Sequence, residues 1–106
     1  MTLYHATEKE NVFSILHNGL KAGFDGRVYF ADSPENAMKF LFIKLRKGEE
    51  KEIAVIPVNI DDYKVNLSDD HNKEYFKCDA YYADGDIEKE CLSQNLSDVL
   101  LFKVRK

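Results

Sequence analysis

The segment Arg27-Val28-Tyr29-Phe30-Ala31-Asp32-Ser33-Pro34-Glu35-Asn36-Ala37 passes from strand to helix with no loop of its own. Its first five residues are rich in β-formers and short enough for a strand. Asp32 and Ser33 then supply a polar cap, Pro34 takes the first helical position, and Glu35 sits near the positive end of the helix dipole. Downstream, Ala37, Met38, Phe40, Leu41, Phe42 and Leu45 lead to Gly48, which predicts a helix over 34–47, apolar around much of its circumference and therefore well buried. Upstream, Gly23, Asp25 and Gly26 make a turn. Before it, Val12, Phe13, Leu16 and Leu20 recur at helical spacing. Thr7 has the position of an N-cap with Glu10 completing a capping box, and Asn18-Gly19 supplies the stop, so a helix is predicted over 8–18. Thr2–His5 is a short strand.

The remaining chain reads mostly as strands. Ile53–Ile60 is a near-continuous apolar run, the pattern of a strand covered on both faces, and Pro57 within it marks a bulge or an edge. Tyr63–Leu67 alternates. Tyr75-Phe76 and Ala80-Tyr81-Tyr82 suggest one or two strands ending at Asp84-Gly85. Ile87–Leu92 reads as one helical turn and Val99–Val104 as a closing strand. The order βαβα followed by strands predicts one α+β domain over residues 1–106, with its two main helices in the N-terminal half.

Composition narrows the function classes. The 106 residues are 44% hydrophobic and 32% charged, enough to fill a core and unlike a disordered chain. No run reaches the roughly 18 apolar residues of a membrane span. The start, Met1-Thr2-Leu3-Tyr4-His5, lacks the basic and apolar regions of a signal peptide, so the expected location is cytoplasmic and the expected state of Cys78 and Cys91 is the free thiol. A net charge of −4, with Lys44, Arg46 and Lys47 followed at once by Glu49, Glu50 and Glu52, argues against duplex nucleic-acid binding. His5, His17, His71, Cys78 and Cys91 show no metal-ligand spacing, so no metal site is expected. Spacing leaves a Cys–His nucleophilic pair open, but neither cysteine has a characteristic flank, which favours structural thiols. Gly23, Gly26 and Gly48 form no phosphate-binding pattern.

One ordered set of motifs is more specific. Tyr4-His5-Ala6-Thr7 ends the first strand, Ile15-Leu16-His17-Asn18-Gly19-Leu20 ends the first helix, and Val28-Tyr29-Phe30-Ala31-Asp32 leads into the second helix. Over about residues 3–41 this trio resembles the ADP-ribosyltransferase-like superfamily, in its branch of poly-ADP-ribose polymerases, rifamycin-modifying transferases and tRNA 2′-phosphotransferases. The resemblance implies a small split β-sheet and NAD as substrate. It further implies that His5 bonds a ribose hydroxyl, that the Ala6 backbone beside Thr7 grips the nicotinamide carboxamide, and that Tyr29 and Phe40 line the ring pocket. Three positions depart from the family pattern. Ala6 stands where a glycine is common, Ala37 where a serine binds the carboxamide, and Asp79 where active relatives carry a late-strand glutamate.

Breaking the nicotinamide–ribose bond develops oxocarbenium character, so a site must orient the ribose, hold the leaving group and place negative charge nearby. The resemblance thus implies His5, Tyr29 and Asp79 as catalytic residues, and His5, Ala6, Thr7, Tyr29 and Phe40 as NAD contacts. The acceptor of ADP-ribose is open, with the acidic surface favouring a protein or small molecule over nucleic acid. The missing glutamate keeps open a degenerate module that binds NAD, ADP-ribose or a protein partner without turnover. Each residue also has a plain reading: His5 as a satisfied structural histidine, Tyr29 and Phe40 as core aromatics, Asp79 as a solvated strand residue.

Overall fold

In the computed structural model, which describes residues 1–61, 63, 65–67 and 80–106, the chain runs β1 (Thr2–Glu8), α1 (Val12–Asn18), β2 (Arg27–Ala31), α2 (Pro34–Phe42), β3 (Glu50–Asn59), β4 (Asn66–Leu67), β5 (Ala80–Asp84) and β6 (Leu100–Arg105). Three single-turn 3-10 helices stand at Lys9–Asn11, Lys89–Cys91 and Leu96–Asp98. All six strands form one sheet in the order β4-β5-β2-β1-β3-β6, every neighbouring pair antiparallel. This is an α+β domain with both helices in its N-terminal half. Asp79, Glu74, Cys78, His71 and the strand expected at Tyr75-Phe76 lie outside the described residues.

The two faces of the sheet are covered differently. Leu3, Val28, Phe30, Ala54, Ile56 and Val58 pack on one face against Val12 and Leu16 of α1, together with Ile87 and Leu92. On the other face α2 rests on small residues: Ala31, Ala37 and Val55 form the contact, flanked by Tyr4, Ala6, Met38, Phe40 and Phe102. Ile53–Ile56 are all buried, as expected of a strand covered on both sides.

Several boundaries differ from the sequence reading. Thr7 does not cap a helix. The ladder with β3 runs from Thr2 opposite Asn59 to Glu8 opposite Ile53, and it holds Thr7 in the strand facing Ala54. The helix predicted over 8–18 therefore opens as a 3-10 turn and becomes α-helical only at Val12. The second helix stops at Phe42, not 47, and of its residues only Ala37 is buried. Beyond Phe42 the turns tighten, with Lys44 N–H donating to Leu41 and Leu45 N–H to Phe42. Gly48 N–H then bonds Lys106, and Lys106 N–H bonds Glu49, which draws the chain into the β3–β6 ladder earlier than its apolar run begins. Of the described residues in the strand expected over 63–67, Asn66 and Leu67 form β4, and the turn expected over 87–92 is limited to Lys89–Cys91. Pro57 sits just past the end of the β3–β6 ladder, where Leu92 bridges Val58 and no donor is required of position 57. The β3–β6 pairing ends at Val55 opposite Leu100, and past it the Pro57 carbonyl accepts from Ser93 N–H at 3.4 Å.

Candidate functional site

The junction between β1 and β2 is unlike the others in the sheet. Whereas β1 pairs with β3 along its whole length, it meets β2 at one register position, Tyr4 opposite Ala31. Antiparallel residues alternate between the two neighbouring strands in where they send their N–H and C=O groups. The Met1 carbonyl accepts from Ile60 N–H of the β3 side, and the Pro57 carbonyl points away from β1, so Tyr4 and Ala6 direct their backbone groups at β2. Gly85 N–H donates to the Gly26 carbonyl at the start of the β2–β5 ladder, so on β2 it is Tyr29 and Ala31 that face β1. A continuing ladder would join Ala6 to Tyr29. Instead His5 Nδ1 lies 2.8 Å from the Tyr29 carbonyl oxygen.

That bond defines the histidine. A carbonyl only accepts, so Nδ1 carries the hydrogen and Nε2 keeps its lone pair while the ring is neutral. Burial lowers the His5 pKa below its ordinary value, outweighing the opposite pull of the Tyr29 carbonyl. The ring also meets buried Phe30 edge-on, with centroids 6.1 Å apart. His5 is thus a neutral imidazole fixed in orientation, with its Nε2 available as an acceptor.

Cavities lie on both sides of this split. One, of about 350 Å³, is lined by His5, Ala6, Tyr29 and Phe40, with Lys21, Arg27 and Lys44 also on its wall. The other, of about 520 Å³, lies against α1 and has a mixed wall, with Thr7, Asn11, Ser14 and Asn18 beside Ile15 and Leu20. His5 and Lys21 line both. Ligand pockets typically measure roughly 300–1,000 Å³, so each chamber can hold a small group.

Tyr29 is held from its hydroxyl end. Its Oη donates to Asp25 Oδ2 at 2.6 Å, which lowers the Asp25 pKa and raises that of Tyr29. Its ring lies 6.3 Å from that of Tyr82, over which the Arg27 guanidinium stacks at 3.9 Å. Lys21 and Arg27 stand within 4 Å of Asp86 and Asp84 respectively. The aromatic chamber therefore carries three cations in a chain of net charge −4.

The residues expected at a site are largely brought together. His5, Ala6, Tyr29 and Phe40 share one chamber, and Thr7 lines the other, its Oγ1 accepting from Asn11 Nδ2 at 3.4 Å. Ala37 is 1% exposed in the contact between α2 and the sheet, away from both chambers. Lys21, Lys44 and Asn11 were missed by sequence reasoning, because lone cations and amides on helix ends look like solvated residues. Among the described residues no cluster of His, Cys, Asp and Glu is arranged to hold a metal, and no helix is long and apolar enough to cross a membrane. No protein-family model and no curated protein matches the chain.

Proposed function

We propose that the split between β1 and β2 binds NAD, and that the protein is a mono-ADP-ribosyltransferase-like enzyme, cleaving the nicotinamide–ribose bond and passing ADP-ribose to an acceptor. The observation that carries this reading is the replacement of the Ala6–Tyr29 ladder step by the His5–Tyr29 bond. It turns a sheet junction into a cleft whose Ala6 backbone groups face a ligand between two chambers.

In this reading the nicotinamide carboxamide bonds the Ala6 backbone, and its ring lies between Tyr29 and Phe40. The neutral His5 accepts a ribose hydroxyl through Nε2. The cations Lys21, Arg27 and Lys44 suit the pyrophosphate. The C–N bond breaks with its electron pair leaving on nicotinamide, while the acceptor's nucleophile supplies the pair for the new bond to the ribose carbon. A carboxylate near the ribose stabilises the positive charge, and Asp79 is the one the sequence offers for that role.

A second reading, binding without turnover, draws on the aspartate at position 79 and on Ala37 buried beneath α2. Thermal unfolding with NAD, followed by a nicotinamide-release assay, tests both. Ligand at a hundred times its Kd adds about 2.7 kcal/mol, a Tm rise on the order of ten degrees here. The rise is expected in the wild type and lost in Tyr29→Ala, and nicotinamide release is expected to disappear in His5→Ala. No rise at millimolar NAD would sink both readings. A rise without release selects the second.

A further inference from the structure

Among the described residues, strand β6 ends the sheet and only one of its sides is paired. Its partner β3 takes the backbone groups of the even-numbered residues, as the bond from Lys106 N–H to Glu49 and the register of Leu100 opposite Val55 require. Leu101, Lys103 and Arg105 therefore send their N–H and C=O groups outward from the sheet, a template for another strand. The strand is also apolar where it is exposed: Leu100 is 43% and Leu101 55% accessible. Leu101 continues into a groove of about 740 Å³ that includes Phe13 and Leu96, themselves 72% and 50% exposed. Half-exposed leucines along an open strand edge mark an association surface.

The sequence of this edge indicates what covers it. Asp98-Val99-Leu100-Leu101-Phe102-Lys103-Val104-Arg105-Lys106 is acidic at its start, apolar in its middle and basic at its end. Such a polarity is self-complementary only when a second copy runs antiparallel. The wall of the groove is similarly balanced, with Lys9, Lys51 and Lys103 against Glu10, Glu50 and Glu52, so it offers no field that favours a strongly acidic or basic partner over an identical one.

We propose that two copies of this chain associate edge to edge through β6, antiparallel and related by a two-fold axis at Leu101. In that register Leu101 faces the Leu101 of the other copy. Leu100 covers the other copy's Phe102 on the α2 face of the sheet, and the 3-10 turn that ends at Asp98, just before β6, lies beside the basic end, Lys103–Lys106, of the other copy. A two-fold contact of this kind is isologous and closed, so it stops at the dimer. The proposal is independent of what the cleft binds.

Sedimentation equilibrium of the full chain at high micromolar concentration tests it, with Leu101→Arg as the disrupting variant and circular dichroism to confirm that the variant folds. The wild type is expected at twice 12.3 kDa and Leu101→Arg at 12.3 kDa. The geometry is read separately by oxidation, with Cys78 and Cys91 replaced by Ala. Hydrogen-bonded antiparallel partners have Cα atoms about 5.5 Å apart, within disulfide reach, so Leu101→Cys is expected to cross-link as a dimer. Lys103→Cys, whose copies lie about 13 Å apart in this register, is expected not to. A wild-type monomer throughout this range overturns the proposal, as does a dimer that survives Leu101→Arg or fails to cross-link through Leu101→Cys.

Discussion

Replacing Gly19 with alanine is expected to be among the most damaging single-methyl changes in this domain. Gly19 follows α1 at φ +85° and ψ 178°, a region that is essentially glycine's own. Holding an L-residue there costs roughly 1–3 kcal/mol before any contact is considered. The contact is severe. A Cβ at Gly19 stands 2.4 Å from the Ile87 carbonyl oxygen and 3.1 Å from the Lys89 nitrogen, both backbone atoms that no side-chain rotation can move away. Ile87 is also the partner of Leu20, each donating its N–H to the other's carbonyl at 2.8–2.9 Å, and both side chains are buried. Relief of the clash must open this bridge and shift the Ile87–Leu92 segment off the α1 face of the core. Two lost hydrogen bonds at about 0.5–1.5 kcal/mol each bring the total to roughly 2–6 kcal/mol.

Gly26→Ala is the control that separates the two terms. Gly26 is also left-handed, at φ +77°, but a Cβ there has nothing within 4 Å. It should cost about 1 kcal/mol for the backbone alone. Urea unfolding of both variants gives the difference directly, and for a domain of this size each kcal/mol corresponds to a Tm change of roughly 4–8 °C. If Gly19→Ala unfolds within about 1 kcal/mol of Gly26→Ala, the close approach of Ile87 does not exist as described.

Two further outcomes are expected. Ser33→Ala removes the hydroxyl that accepts from Asn36 N–H at 3.2 Å and should lower stability by about 1 kcal/mol in urea unfolding, with Ser33→Asp retaining most of it; an unchanged midpoint in Ser33→Ala would show that Pro34 alone sets the helix start. His5, whose pKa is lowered in the fold, resists the proton that the unfolded chain takes up near pH 6.5, so its contribution is full above that pH and is lost as pH falls through it. The slope is at most about 1.4 kcal/mol per pH unit, and it should be shallower in His5→Gln; equal slopes between pH 7 and 5 would refute the neutral, half-buried imidazole.

Much of the fold is legible in the residues because local and long-range preferences agree there. Arg27–Ala31 and the Pro34 helix start fall where β-propensity and cap chemistry place them, and Ile53–Ile56 are buried on both faces as their unbroken apolar run demands. The misreadings share one cause. Thr7 has the chemistry of a cap, but its neighbours pair with β3 through Glu8, and a ladder satisfying every second backbone group outweighs one capping bond worth about 1 kcal/mol. The end of α2 is similar, since Gly48 and Glu49 are recruited by Lys106, far away in sequence, before the helical pattern runs out. At the site, His5, Ala6, Tyr29 and Phe40 were legible through an ordered set of motifs, whereas Lys21 and Lys44 converge only because the turn before β2 and the end of α2 meet at one chamber.

The opening between β1 and β2 runs against the sheet's own energetics, which is why it points to function. Each forgone ladder bond costs about 0.5–1.5 kcal/mol, and a buried N–H left without a partner costs more. The chain offsets part of this through His5, whose ring takes the Tyr29 carbonyl that Ala6 would otherwise claim. The substitution has a consequence that a paired strand lacks. A ladder would bring Ala6 and Tyr29 within one strand spacing, about 4.8 Å, and close the gap between the chambers. An imidazole spans a greater distance, satisfies the carbonyl, and still presents an acceptor on its far side. Tyr29 is meanwhile tethered through its hydroxyl to Asp25 in the preceding turn, so the wall opposite Ala6 is fixed by a contact outside the sheet. A strand pair that gives up its ladder for two side-chain ties has given up stability at one place in an otherwise regular sheet, and the chambers that meet at His5 are what it gains there.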